Sequence, residues 1–128
     1  MRQINSILII DDDDDDRELF CEAVGIVSAA TLCHQAINGL EALEMLKKTA
    51  PLPDLIFLDL NMPKLNGTQC LAQIKQIEEI KKIPVFIYST SNFKKDKEET
   101  ISLGASGFIL KPTNFDALCK EIFSAFSI

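Results

Sequence analysis

Apolar residues are spaced in two alternating ways along this chain. Short continuous runs, Ile7 to Ile10 and Leu55 to Leu58, read as strands buried on both faces, the kind found in parallel sheets covered by helices, and Gly107 to Leu110 reads as a further short strand. Thr31 to Ile37 and Pro84 to Tyr88 read as two further strands. Between the runs, apolar positions recur every third or fourth residue. Leu19, Phe20, Ala23, Val24 and Val27 predict a helix over Arg17 to Val27, and Leu40, Ala42, Leu43 and Leu46 predict a second after the break at Asn38-Gly39. Cys70, Leu71, Ile74 and Ile77 predict a third, ending in the charged stretch Glu78 to Lys82. A fourth, solvated and weakly anchored, leads from Lys94 to Glu99 through Ile101 and Leu103 to a stop at Gly104; a fifth follows the cap Asn114 through Phe126. Five strands alternating with five helices imply right-handed βαβ units and a doubly wound α/β domain with a parallel sheet.

Chemistry gathers at the strand ends. In such a sheet the crevice lies at the carboxyl ends of the strands. Asp11 and Asp12 follow the first strand, Asp59 the third, Ser89 the fourth and Lys111 the fifth, so five polar groups are expected to converge there. Adjacent carboxylates repel, and Asp11 with Asp12 is most simply explained by a bound hard cation. Met62-Pro63 and Asn66-Gly67 break the chain after Asp59 and require a loop over its carboxylate. Asp14 to Asp16 straddle a helix start and read as caps and dipole partners. Ser89, Thr90 and Ser91 read as caps of the following helix, with Ser89 also placed to hold an anion.

Charge and composition narrow the picture. At 128 residues the chain is expected to form a single domain, residues 1–128. The formal net charge of −6 is matched by the run Asp11 to Asp16, since the remaining acids balance the bases; the acidity is local and predicts a cation there and no nucleic-acid partner. No apolar run approaches the roughly 20 residues of a membrane span, and no secretory leader is seen, so a cytoplasmic protein without a membrane partner is expected. The four cysteines are far apart, lie in apolar patterns and are expected to be reduced core residues. His34, the only histidine, reads as structural.

Such a site has a definite chemical capacity. A carboxylate can attack phosphorus to give an acyl phosphate. With Asp11 and Asp12 beside Asp59, a divalent cation must first neutralise the pocket; Mg2+ suits oxygen ligands and bridges to phosphoryl oxygens. Lys111 can pair with a second oxygen, and Ser89 can donate to a third.

Over its whole length the chain resembles a receiver domain of the bacterial two-component response regulators, of the single-domain chemotaxis type. The resemblance is carried by Asp11-Asp12, by Asp59 with Leu-Asn-Met-Pro-Lys-Leu-Asn-Gly, by Ser89 and by Lys111-Pro112. It implies a flavodoxin-like fold with strand order 2-1-3-4-5. It also implies that Asp59 accepts a phosphoryl group from a sensor histidine kinase or histidine phosphotransfer protein, with Mg2+ held by Asp11, Asp12, Asp59 and the backbone carbonyl of Asn61. Further implied are a cis peptide at Lys111-Pro112, a switch in which Ser89 moves toward the phosphoryl group and Phe108 turns inward, and an output surface over residues 94–128. Such a protein is a signalling module and not an enzyme in the ordinary sense, and with no effector domain its output passes to a downstream protein target, unknown from sequence. Thr90 and Ser91 depart from or vary within the family's pattern and, with Asn61, bear on phosphoryl lifetime.

Two other readings compete. Haloacid-dehalogenase-like phosphatases also form an aspartyl phosphate, but require a second aspartate two residues on, where this chain has Asn61. A receiver fold used as a phosphorylation-independent interaction module is the other alternative.

Overall fold

The computed structural model describes residues 3–48 and 51–127. The expectations touching Met1, Arg2 and Ile128 lie outside the described residues. Ten elements alternate: β1 (Ser6–Ile10), α1 (Asp14–Val27), β2 (Leu32–Ala36), α2 (Gly39–Lys48), β3 (Leu55–Leu58), α3 (Gly67–Ile74), β4 (Val85–Ser89), α4 (Lys94–Ser102), β5 (Gly107–Leu110) and α5 (Phe115–Phe126). All neighbouring strands pair in parallel in the order β2-β1-β3-β4-β5, as anticipated.

Each central strand divides its side chains between two cores. Leu8, Ile10, Ile56, Leu58, Val85 and Ile87 face α2 and α3, while Ile7, Ile9, Leu55, Phe57, Phe86 and Tyr88 face α1 and α5. This is why the runs are continuously apolar: with period two and both faces covered, no position is left for water. Phe20 of α1 meets the Phe57 and Tyr88 rings at 4.7 and 5.1 Å between centroids, fixing that helix over the middle of the sheet. Helix α4 buries only Thr100, in keeping with its solvated pattern.

The ends of several elements differ from expectation. Helix α1 begins at Asp14, because Asp13 caps it by accepting from the Asp16 N–H. The predicted apolar stripe is displaced: Leu19 is exposed, while Arg17 is buried. Strand β2 is trimmed at both ends to Leu32–Ala36, and β4 runs from Val85 through Ser89. Helix α3 stops at Ile74, well before Glu78. Ile74, Ile77, Ile80 and Ile83 are spaced by threes, and the chain follows that spacing with hydrogen bonds from Ile77 N to Ile74 O, Ile80 N to Ile77 O and Ile83 N to Ile80 O. Tight three-residue turns keep this stripe on the core, where a 3.6-residue helix would rotate it away. The Lys75 ammonium binds the Lys81 and Ile83 carbonyls and closes the segment.

The cysteine expectation is corrected for two of the four. Cys21 of α1 and Cys33 of β2 form a disulfide, their Cα atoms 5.5 Å apart. Cys33 is paired in register with Ile7 and shares its face, which α1 covers. Cys70 and Cys119 are free, and burial pushes the Cys70 thiol up to about 12. His34 lies exposed on edge strand β2.

Candidate functional site

The sheet order itself creates the site. The order in which strands are added reverses between β1 and β3, since β1 is followed outward by β2 while β3 returns to its other side, parallel to it, and a crevice opens at that switch point. Ile10 and Leu58 are paired in register, so the residues that follow them, Asp11 and Asp59, stand side by side. The ladder continues one step past the strands: Asp59 N–H donates to Ile10 O at 2.9 Å and Asp11 N–H to Ala36 O at 3.1 Å. Both carboxylates are buried, and Asp12 is exposed. One oxygen from each of Asp11, Asp12 and Asp59 lies within 4.8 Å of the others.

The loop over Asp59 is set by close packing. A Cβ added to Gly67 would meet the Asp59 carbonyl oxygen at 2.2 Å and the Leu60 Cα at 2.6 Å. Only glycine lets α3 approach so near, and Gly67 N–H donates to Leu60 O at 3.0 Å. Asn66 caps α3 in a reciprocal arrangement with Gln69, and Lys64 takes a positive φ of 67° in the turn.

Lys111 reaches the same crevice from the end of β5, whose position is fixed by Lys111 N–H donating to Ser89 O at 2.8 Å. Its ammonium lies 2.8 Å from Asp11 Oδ2, 2.8 Å from Asp16 Oδ2 and 3.9 Å from Asp59 Oδ2. It also sits 5.3 Å from the centre of the Tyr88 ring. Ser89 is fully buried and its Oγ accepts from Ser91 N–H at 3.2 Å. Thus Asp11, Asp12, Asp59 and Lys111 are brought into one cluster, with Ser89 tied to the Lys111 backbone. Asn61 is exposed beside Asp59, and Phe108 is half-buried against the α2 and α3 core.

Sequence reasoning missed two residues here. Asp16, expected only to cap the helix or complement its dipole, pairs with Lys111. It stands on the first turn of α1, and helical side chains lean toward the helix N-terminus, which here is the strand-end crevice; that is the signal that could have found it. The buried Arg17 donates to the Asp11 carbonyl at 2.7 Å and to Gln35 Oε1 at 3.0 Å, and pairs with Asp14. The serine run does not provide the N-cap of α4 that its composition predicts. Phe93, without a side-chain bond, is the N-cap of α4, and Ser91 Oγ contacts the Asp96 carboxylate.

Burial sets the electrostatics. It pushes the Asp59 carboxyl up to about 6; Lys111 opposes the rise and Asp11 adds to it. Asp11 is likewise raised by burial, against its hydrogen bond from Lys111. Burial would lower Lys111, but its hydrogen bonds to Asp11 and Asp16 and the charge of Asp59 more than offset this, so it rises and stays charged. Four carboxylates around one ammonium leave the cluster negative. Its donors are all hard oxygens, a set that fits Mg2+ or Mn2+.

The response regulator receiver domain family matches residues 7–123. The chain belongs to this family. The chain is 33% identical over 124 residues to response regulator Rcp1 of Synechocystis sp., covering 91% of this chain and 82% of Rcp1. The phosphorylated cyanobacterial phytochrome response regulator RcpA has a similar crystal structure, with a TM-score of 0.87 and 30% identity over 96% of this chain and 91% of that one. The Mn2+-bound form of Rcp1 superposes with a TM-score of 0.84 and 30% identity, covering 97% of this chain and 93% of that one. Receiver sequence also occurs inside longer proteins: the chain spans 14% of the sensor histidine kinase CheAY of Helicobacter pylori, at 31% identity over 91% of its own length. Membership makes this a receiver domain of two-component signalling, a family in which phosphorylation and Mg2+ are typical. No described helix is long and apolar enough to cross a membrane.

Proposed function

We propose that residues 1–128 act as one receiver domain that takes a phosphoryl group onto Asp59 from the phosphohistidine of a sensor kinase or phosphotransfer protein and signals to a partner protein. The observation that carries this reading is the convergence of Asp59 with Asp11, Asp12 and Lys111 at the switch point of the sheet. An Asp59 carboxylate oxygen attacks phosphorus, the phosphorus–nitrogen bond of the donor breaks, and its electron pair returns to the imidazole, leaving an acyl phosphate. Lys111, already 3.9 Å from Asp59, pairs with one phosphoryl oxygen, and the Ser89 hydroxyl donates to another. Asp11, Asp12, Asp59 and the backbone carbonyl of Asn61 would hold Mg2+; the fit of three clustered carboxylates and the Mn2+-bound form of Rcp1 support a divalent ion here. When bound, the ion supplies the charge neutralisation that lets a phosphoryl dianion approach the carboxylates.

The switch follows from packing. Movement of Ser89 toward a phosphoryl oxygen vacates space at the end of β4, and Phe108, half-buried beside Ile87 in the paired register, turns in to fill it. That motion reshapes the neighbouring surface formed by Phe93, Lys97 and Leu110, where a target would read the change.

The test is the intact mass after incubation with acetyl phosphate, with and without Mg2+, for wild type and Asp59→Asn. A gain of one phosphoryl group that requires both Mg2+ and Asp59 supports the reading. No gain under any condition replaces it with a phosphorylation-independent interaction module.

A further inference from the structure

Lys111 is held by two carboxylates, and only one of them belongs to the cation cluster. Asp11 contributes an oxygen to the group formed with Asp12 and Asp59; Asp16 does not. Yet Asp16 Oδ2 is as near to the Lys111 ammonium as Asp11 Oδ2 is, at 2.8 Å, whereas Asp59 Oδ2 stands off at 3.9 Å. Asp16 is itself well anchored. Its backbone N–H donates to Asp13 Oδ1 at 2.9 Å, fixing the first turn of α1, and its carboxylate lies at the positive end of that helix.

We propose that Asp16 is a positioning residue that tethers Lys111 away from Asp59 until an anion arrives. An ammonium in direct hydrogen-bonding contact with the Asp59 carboxylate would occupy an electron pair needed to attack phosphorus, and one released wholly onto Asp11 would compete with the cation for that carboxylate. Asp16 prevents both. It gives Lys111 a partner outside the cation cluster, keeps Asp59 free to act as nucleophile, and leaves the ammonium within a short reorientation of the phosphoryl oxygens. The inference rests on the reading of Asp59 as phosphoacceptor and adds a residue that the strand-end pattern does not contain.

The experiment compares wild type with Asp16→Asn, Asp16→Glu and Asp15→Asn. Asp15 is exposed on the same helical turn, so its substitution removes the same charge from the same helix end without touching Lys111. Two readouts are taken: Mn2+ affinity from the electron paramagnetic resonance of free Mn2+, and the rate of phosphoryl uptake from acetyl phosphate by intact mass. The tether predicts that Asp16→Asn weakens Mn2+ binding and slows uptake by about three- to fivefold each, the scale of a partly exposed ion pair. Asp15→Asn should leave both unchanged and Asp16→Glu should recover most of the loss. Equal behaviour of Asp16→Asn and Asp15→Asn overturns the tether, as does faster uptake by Asp16→Asn. Because Mn2+ binding needs no phosphoryl chemistry, a wild type that binds Mn2+ in the predicted pattern but takes up no phosphoryl group overturns the role of Asp59 alone. A wild type that binds no Mn2+ overturns the tether together with the reading of the pocket.

Discussion

Asp59 and Gly67 show how tightly single residues are constrained at this site. The Asp59 carboxyl is pushed up to about 6 by burial, from an ordinary value of 3.8. Its contribution to stability is therefore fully present below the unfolded value and is lost as pH rises through the folded one; without metal this amounts to on the order of 3 kcal/mol between about pH 4 and pH 7. Asp59→Asn removes the buried charge at nearly constant shape. In a chelator, urea denaturation should find Asp59→Asn more stable than wild type at neutral pH, with the advantage shrinking toward about pH 4; an advantage independent of pH would show that titration of Asp59 is not its source. Gly67 has a different constraint. Its added Cβ would press on the backbone of Asp59 and Leu60, which cannot swing aside as a side chain would. Gly67→Ala should cost about 1–3 kcal/mol in the same assay, as overpacking does. The sequence marks this glycine as a chain break, but its need for close approach is legible only once α3 is seen against the end of β3.

Among the elements, α1 is tied to the sheet by two side-by-side links. Arg17 and Cys21 are one turn apart on the helix, Gln35 and Cys33 two residues apart on β2, and the pairs join as a hydrogen bond and a disulfide. Closing a loop with a sequence separation of 12 should contribute about 3 kcal/mol by restricting the unfolded chain. Replacing both Cys21 and Cys33 by Ser should lower stability by that order under non-reducing conditions, and the difference should vanish in dithiothreitol. Equal stability of the two proteins without reductant would contradict the link. Local spacing could not reveal this pairing, because it depends on which face of β2 is covered by α1, a matter of register and not of sequence separation. The early end of α3 has a similar origin: Ile77 continues the helical spacing of Cys70, Leu71 and Ile74, but with Ile80 and Ile83 it forms a stripe spaced by threes, which three-residue turns bury better. Element types and their order are nonetheless legible, since two-sided burial makes the central strands uniformly apolar and one-sided burial gives α1, α2, α3 and α5 their stripe.

At the scale of the molecule, topology does what no local pattern can. Parallel strand pairing and the order β2-β1-β3-β4-β5 bring Asp11, Asp59 and Lys111 from distant parts of the chain to one edge, and this convergence is foreseeable because each follows an apolar run. Asp16 and Arg17 escaped that logic, being on a helix whose first turn folds back over the strand ends. The central claim is that Asp59 becomes an acyl phosphate. The most direct measurement is borohydride trapping after exposure to acetyl phosphate and Mg2+, followed by peptide mass analysis. An acyl phosphate at Asp59 is reduced and should appear as homoserine at position 59, absent when Mg2+ or the phosphodonor is withheld. Unmodified Asp59 with homoserine at another aspartate, or at none, would contradict the account.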